Sequence, residues 1–224
     1  MSEQSTSLTN MNPAIEQWKA DLRARFAREN QSAKKGQIVF VGSSLMEIFP
    51  IEKMQRGLGL DKVIYNRGIR ATTTAELLAA IDVCIFDLLP SKIFINIGTN
   101  DVGFGVPEDV FLANYDEILR QIGEKLPRTR VFAMAYYPVN NAADFGEPEE
   151  EKKSLFARRS NAALAAASAK VAELARKHGY EFIDVNAGLT DADGNLKKEL
   201  TFDGAHLLPA GYEIVLKNMR KYLS

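Results

Sequence analysis

Two hydrophobic rhythms alternate along the chain. Near-continuous apolar runs occur at 37–42, 62–66, 92–97, 129–137 and 180–185. Short runs rich in Val, Ile and Phe predict strands buried on both faces. Between them, apolar positions recur at three- and four-residue spacing, which predicts helices. In 72–87 these positions are Leu77, Leu78, Ile81, Cys84 and Ile85, and Pro90 stops the segment. Pro107 opens a helix that Pro127 ends. The alanine-rich stretch 154–178 predicts one long helix stopped by Gly179. Pro209 starts a last helix with Tyr212, Val215, Leu216 and Met219 on one face.

Near the start, Asn12-Pro13 offers a cap followed by proline at the first helical position. Ile15, Trp18, Leu22 and Phe26 then predict one apolar face. That face must rest on something, either the domain's own core or a second copy of the chain in a homo-oligomer. The polar stretch 1–10 predicts a disordered tail. Residues 11–224 predict a single domain, with no linker and no internal repeat.

Five strands alternating with helical segments predict an α/β fold: a three-layer α/β/α sandwich around a parallel sheet. For a flavodoxin-like winding, the strand order is 2-1-3-4-5. One region breaks the rhythm. Residues 138–153 carry Pro138, Gly146, Pro148, Glu147, Glu149, Glu150 and Glu151 and follow the C-terminal end of a strand. That position suits the wall or lid of a pocket, and the same composition suits a solvated loop.

Composition narrows the function classes. The formal net charge of −1 gives no electrostatic case for nucleic acid or an anionic membrane surface. A single cysteine, Cys84, excludes an intrachain disulfide and fits an apolar core position. Two histidines and one cysteine argue against a structural zinc site. The first residues lack the basic start and apolar run of a signal peptide, and no apolar stretch approaches membrane-spanning length. The default location is therefore cytoplasmic.

Four stretches fall at the same rim of such a sheet. Gly42-Ser43-Ser44 follows the first strand, where a serine either caps a helix or stands at the C-terminal end of a parallel strand, the usual place for chemistry in open α/β sheets. Asn66-Arg67-Gly68 closes the second, with a glycine that permits close backbone approach. Gly98-Thr99-Asn100-Asp101 follows the third and reads as an Asx turn, a helix cap or a side-chain amide presented to a site. Asp203 and His206 lie three apart before the last helix, so one turn can set the carboxylate on Nδ1 and leave Nε2 free. His178 sits in the last turn of a helix, where a cation suits the dipole, and has no such partner.

Together, in this order, the four stretches resemble the SGNH hydrolases, also called GDSL-type esterases and lipases. The resemblance runs from about Gln37 to Tyr212. It implies the flavodoxin-like fold, Ser44 as nucleophile, and Asp203 and His206 as its partners. It also implies an oxyanion hole from the backbone N–H groups of Ser44 and Gly68 and the Asn100 side chain. No metal or organic cofactor is required. Ser43 stands where the family commonly has aspartate. The implied reaction is hydrolysis of a carboxylic ester through an acyl-enzyme, with a small or short-acyl substrate such as an acetylated sugar. A thioesterase, lysophospholipase or acyltransferase would use the same site. The rival from another class is a flavodoxin-like binding module without catalysis. The elbow of α/β-hydrolases, Gly-x-Ser-x-Gly, is excluded because Met46 occupies the second glycine's place.

Overall fold

The structure, a computed structural model, describes residues 12–224. The tail expected at 1–10 lies outside the described residues. Five parallel strands form one sheet in the order β2-β1-β3-β4-β5. They are β1 (Ile38–Gly42), β2 (Ile64–Gly68), β3 (Lys92–Asn96), β4 (Arg130–Met134) and β5 (Glu181–Ile183). This is the expected winding. Alternate side chains leave the sheet in opposite directions, so each strand feeds two cores. Val39, Val41, Ile93 and Ile95 pack on one side against α1 (Pro13–Ser32), α4 (Thr74–Ala79), α5 (Ile81–Cys84), α7 (Glu108–Lys125) and α9 (Asn161–Lys177). Ile38, Phe40, Phe94 and Phe132 pack on the other against α2 (Ser44–Glu47), α3 (Ile51–Met54) and α10 (Pro209–Leu223). Cys84 is fully buried, and burial pushes its thiol up to about 12, so it is a core residue without thiolate character.

Register brings the chemistry to one rim. Gly42 at the end of β1 pairs with Gly68 of β2 and lies opposite Asn96 of β3. A Cβ at Gly42 would lie 2.0 Å from the Asn96 carbonyl oxygen, so only glycine lets these strand ends close up. The short helices α2 and α6 (Thr99–Phe104) start just beyond, which sets Ser44 and Asn100 side by side at the C-terminal edge.

Three elements differ from the expectation. The second strand starts at Ile64 and runs past Asn66 through Arg67 and Gly68, which take part in the ladder with Val41 and Gly42. The loop at the rim is therefore 69–73. The segment 72–87 breaks into α4, α5 and a 3-10 turn at Phe86–Leu88. Its start is set by Thr73, whose hydroxyl accepts from Glu76 N while the Glu76 carboxylate accepts from Thr73 N. The segment 154–178 also splits, into α8 (Glu149–Phe156) and α9, because the Ser160 hydroxyl caps α9 by accepting from Ala163 N.

Helix α1 is rotated from its predicted face. It buries Lys19, Leu22, Phe26 and Asn30 and leaves Trp18 44% exposed. Two polar contacts decide this. The Lys19 ammonium lies 2.6 Å from Glu76 and 3.1 Å from Glu16. Asn30 Oδ1 accepts from Nε and Nη2 of the buried Arg67, whose guanidinium lies 4.5 Å from the Phe26 ring. Such groups cannot be buried unpaired, so their partners fix the helix's rotation. Among the described residues, no helix is long and apolar enough to cross a membrane.

Candidate active site

Ser44 is the first residue of α2, and three contacts hold that short helix. The Asn66 amide donates to Met46 O (2.6 Å) and Phe49 O (3.2 Å), and Tyr212 Oη of α10 donates to Leu45 O (2.7 Å). Ser44 Oγ lies 2.9 Å from His206 Nε2. His206 Nδ1 lies 2.6 Å from Asp203 Oδ2, while Asp203 Oδ1 accepts from the backbone N–H groups of Ala205 (2.9 Å) and His206 (2.8 Å). The carboxylate is thus locked from both sides. Burial alone would raise its pKa. The bond from the His206 ring, that ring's charge and the two amides outweigh burial and hold it below the usual carboxylate range.

The turn that carries this pair is itself built in. The Thr201 hydroxyl donates to His206 O (2.7 Å) and accepts from Gly204 N (2.9 Å). From the irregular segment 138–153, Asn140 N donates to Gly204 O at 2.7 Å. The Phe202 ring stacks on the His206 ring at 5.6 Å and is half exposed to the cleft. From the segment 138–153, Glu150 and Glu151 line the cleft, and Ser154 and Leu155 of the same helix α8 follow just beyond it.

Asn100 is buried at the start of α6 and its amide is engaged from two directions. Nδ2 donates to Thr72 O at 3.0 Å, and Oδ1 accepts from Arg159 Nη2 at 3.0 Å. An amide nitrogen has two hydrogens, so one Nδ2–H remains for the cleft that Asn100 lines beside Ser44 and His206. Next to it, Asp101 is buried and accepts from Thr74 N (3.0 Å) and Thr74 Oγ1 (2.6 Å). Burial pushes its pKa up to about 6 against those hydrogen bonds.

Gly68 is the expected site residue that the fold does not bring to the cleft. Its N–H donates to Asn66 Oδ1 at 2.9 Å, and it lies within β2, facing a separate hollow beside Phe26 and Pro50. The neighbouring rim loop instead brings Ala71 to the cleft with Ser44, Asn100 and His206. Ala71 adopts φ +55°, uncommon for a residue with a Cβ, and its N–H makes no hydrogen bond among the described residues. The sequence hides it, because alanine gives no signal of left-handed backbone. Arg159 was also missed, hidden inside the helix expected at 154–178. The dipeptide Ser160-Asn161 was the available sign of a break. Ser43 is fully buried, and its hydroxyl has no partner among the described residues. His178 Nε2 pairs with Asp116 Oδ1 of α7 at 2.7 Å, away from this constellation.

Two spaces meet at Ser44. An inner pocket of about 40 Å³ is walled by Leu45, Tyr137, Val139, Leu155 and Ala205. An open cleft of about 920 Å³ continues outward past Ile15, Ile48, Phe104 and Phe202.

Known proteins resemble this chain in sequence and in fold. It is 23% identical over 191 residues to the platelet-activating factor acetylhydrolase IB subunit alpha2 of Gallus gallus, covering 85% of this chain and 77% of that one. A solved structure from Streptococcus pneumonia, provisionally named a platelet activating factor, is 31% identical with a TM-score of 0.83, over 100% of both chains. A catalytic mutant of Axe2, an acetylxylan esterase from Geobacillus stearothermophilus, shares the fold with a TM-score of 0.65 at 14% identity, covering 86% of this chain and 95% of that one. The model of the GDSL-like lipase/acylhydrolase family matches residues 51–214, a stretch that starts just beyond Ser44 and includes Asn100, Asp203 and His206. With most of its length matched, the chain belongs to the GDSL-like lipase/acylhydrolase family, whose members act as hydrolases on esters.

Proposed function

We propose that this protein is a serine esterase that removes acetyl or similarly short acyl groups through an acyl-enzyme. The observation that carries this reading is the unbroken relay Ser44 Oγ–His206 Nε2–Asp203, with spacings of 2.9 and 2.6 Å, at the mouth of a small apolar pocket. Ser44 Oγ attacks the ester carbonyl as His206 Nε2 takes its proton. Asp203 keeps the Nδ1–H tautomer and stabilises the imidazolium. The oxyanion meets the Ser44 N–H, the Ala71 N–H and the second Nδ2–H of Asn100. These donors are fixed before the reaction, which is what makes such a hole effective. The C–O bond to the alcohol breaks, and the alcohol leaves with the His206 proton. Water then attacks the acyl group, again with His206 as base, and regenerates Ser44.

Pocket size argues for a short acyl chain. At about 40 Å³, the pocket beside Ser44 is small next to the cleft of about 920 Å³, which suits a small acyl group better than a long chain. Acetyl is also the group named for the chicken relative and for Axe2, although their alcohols differ. The wide outer cleft accommodates the alcohol part, and Phe202 offers a sugar or other flat group an aromatic face.

The test is a series of para-nitrophenyl esters from acetyl to octanoyl, combined with fluorophosphonate labelling. The expected result is kcat/KM highest for acetyl or propionyl, with labelling and turnover both abolished in Ser44→Ala. Preference for octanoyl overturns the short-acyl reading. Full turnover by folded Ser44→Ala overturns the serine mechanism.

A further inference from the structure

Arg159 is a buried guanidinium that makes no ion pair among the described residues. Burial lowers its pKa from the ordinary arginine value, and the charge of Asp203 works the other way. A buried cation without a carboxylate against it is costly, so its surroundings merit a reason. Nη1 donates to Leu155 O at 2.8 Å, near the C-terminal end of α8, and Nε donates to Thr99 O at 3.2 Å. Those two bonds tie α8 to the start of α6. The third goes from Nη2 to Asn100 Oδ1 at 3.0 Å. Room for the guanidinium is made on α6 itself. A Cβ at Gly103 would lie 2.1 Å from Arg159 Cζ.

We infer that Arg159 is a positioning residue of the oxyanion hole, holding the Asn100 amide so that its free N–H faces the reacting carbonyl oxygen. The inference rests on the esterase reading above. The two contacts of Asn100 have opposite polarity. Turning the amide over would set its NH₂ against the guanidinium N–H and its oxygen against the Thr72 carbonyl. Both bonds would become repulsions, so the side chain has one orientation. The same contact polarises the amide. A charge-assisted bond at Oδ1 draws electron density from the nitrogen and makes its remaining hydrogen a stronger donor to a developing negative charge. Thr72 alone could not do this, since a single neutral bond leaves the amide free to swing about it.

Hydrogen-bond geometry explains why arginine suits the task. Three acceptors, Leu155 O, Thr99 O and Asn100 Oδ1, are each reached by a different nitrogen of one guanidinium fork. An ammonium is a point charge on a flexible stem and cannot hold all three in that geometry.

The test is a double-mutant cycle on para-nitrophenyl acetate, with folding checked by circular dichroism and thermal melting. Variants are Arg159→Met, Arg159→Lys, Asn100→Ala and the two combinations. Asn100→Ala should lower kcat by about 10²–10³-fold, as removal of one oxyanion donor does. Arg159→Met should lower kcat by roughly 10–100-fold with KM within about threefold, since it weakens a group that acts on developing charge. Placed on Asn100→Ala, the same substitution should cost less than about threefold further, because its target is gone. Arg159→Lys should fall between the wild type and Arg159→Met. Equal losses in both backgrounds, a rise in KM alone, or an unchanged kcat overturns the proposal. If Arg159→Met does not fold, the Arg159→Lys cycle is read by the same criteria. Turnover by Ser44→Ala, measured alongside, is the separate result that removes the esterase reading itself.

Discussion

Replacing Asp203 by asparagine changes a few atoms and should nearly abolish turnover. The carboxylate accepts three N–H groups, two backbone amides at Oδ1 and the ring at Oδ2. Asparagine has one accepting oxygen. With that oxygen on the two amides, its NH₂ faces His206 Nδ1. The opposite orientation leaves two buried donors unpaired, at roughly 1–3 kcal/mol each, so the first prevails. An NH₂ facing Nδ1 selects the tautomer with the proton on Nε2. That nitrogen then donates toward Ser44 and cannot take its proton. The expected loss is about 10⁴-fold in kcat, the scale of such a tautomer error in a serine triad. The assay is steady-state hydrolysis of para-nitrophenyl acetate together with the rate of fluorophosphonate labelling, both near neutral pH. Because volume and backbone contacts are kept, the melting temperature should stay close to that of the wild type. A folded Asp203→Asn with kcat within tenfold of the wild type would refute the argument.

Three further outcomes follow from the geometry. Asp101 titrates at about 6 in the folded protein and near 3.8 otherwise, so the folded state holds its proton more tightly and stability falls as pH rises from 4 to 6. The contribution is roughly 3 kcal/mol. In urea titrations from pH ~3.5 to ~7, the wild type should lose that stability relative to Asp101→Asn as pH rises, and parallel profiles would remove the assignment. Ala71→Gly relieves a left-handed backbone, by about 1 kcal/mol less the similar entropy that glycine adds to the unfolded chain, so melting and kcat should hardly change. Ala71→Val should cost activity and stability together, and a fully active valine variant would show that the loop tolerates another shape. Ser43→Ala removes a buried hydroxyl with no partner among the described residues, so chemical denaturation should show stability unchanged or raised by up to about 1 kcal/mol, with fluorophosphonate labelling kept. A loss of labelling would give Ser43 a part in the reaction.

The parallel sheet with helices on both faces was legible because each strand is a short apolar run and helical periods lie between them, while the strand order came from the flavodoxin-like winding that the resemblance implies. That Ser44, Asn100, Asp203 and His206 come together was legible because their residue types recur in a known order. What escaped was decided by contacts between distant segments. The rotation of α1 depends on Glu76 and Arg67, which no local window includes. Gly68 was expected at the site because the resemblance implies a glycine block there, but the Asn66 side chain captures its N–H and the ladder pairs it with Gly42. Ala71 left no local mark, and Arg159 only an indirect one in the Ser160 cap that follows it. One acts through backbone shape, the other through a helix break that a cap alone betrays.

Trp18 is the chain's single tryptophan. Its indole lies 4.7 Å from the guanidinium of Arg70, which lines the cleft and is paired with Glu47 on the helix that carries Ser44. Light absorbed by tryptophan is therefore absorbed at one known place, beside the loop that presents the Ala71 N–H. Any ligand that shifts Arg70 alters the charge over the ring and hence its emission. The protein carries an intrinsic optical reporter at the edge of its own cleft, usable with unlabelled esters whose products have no colour.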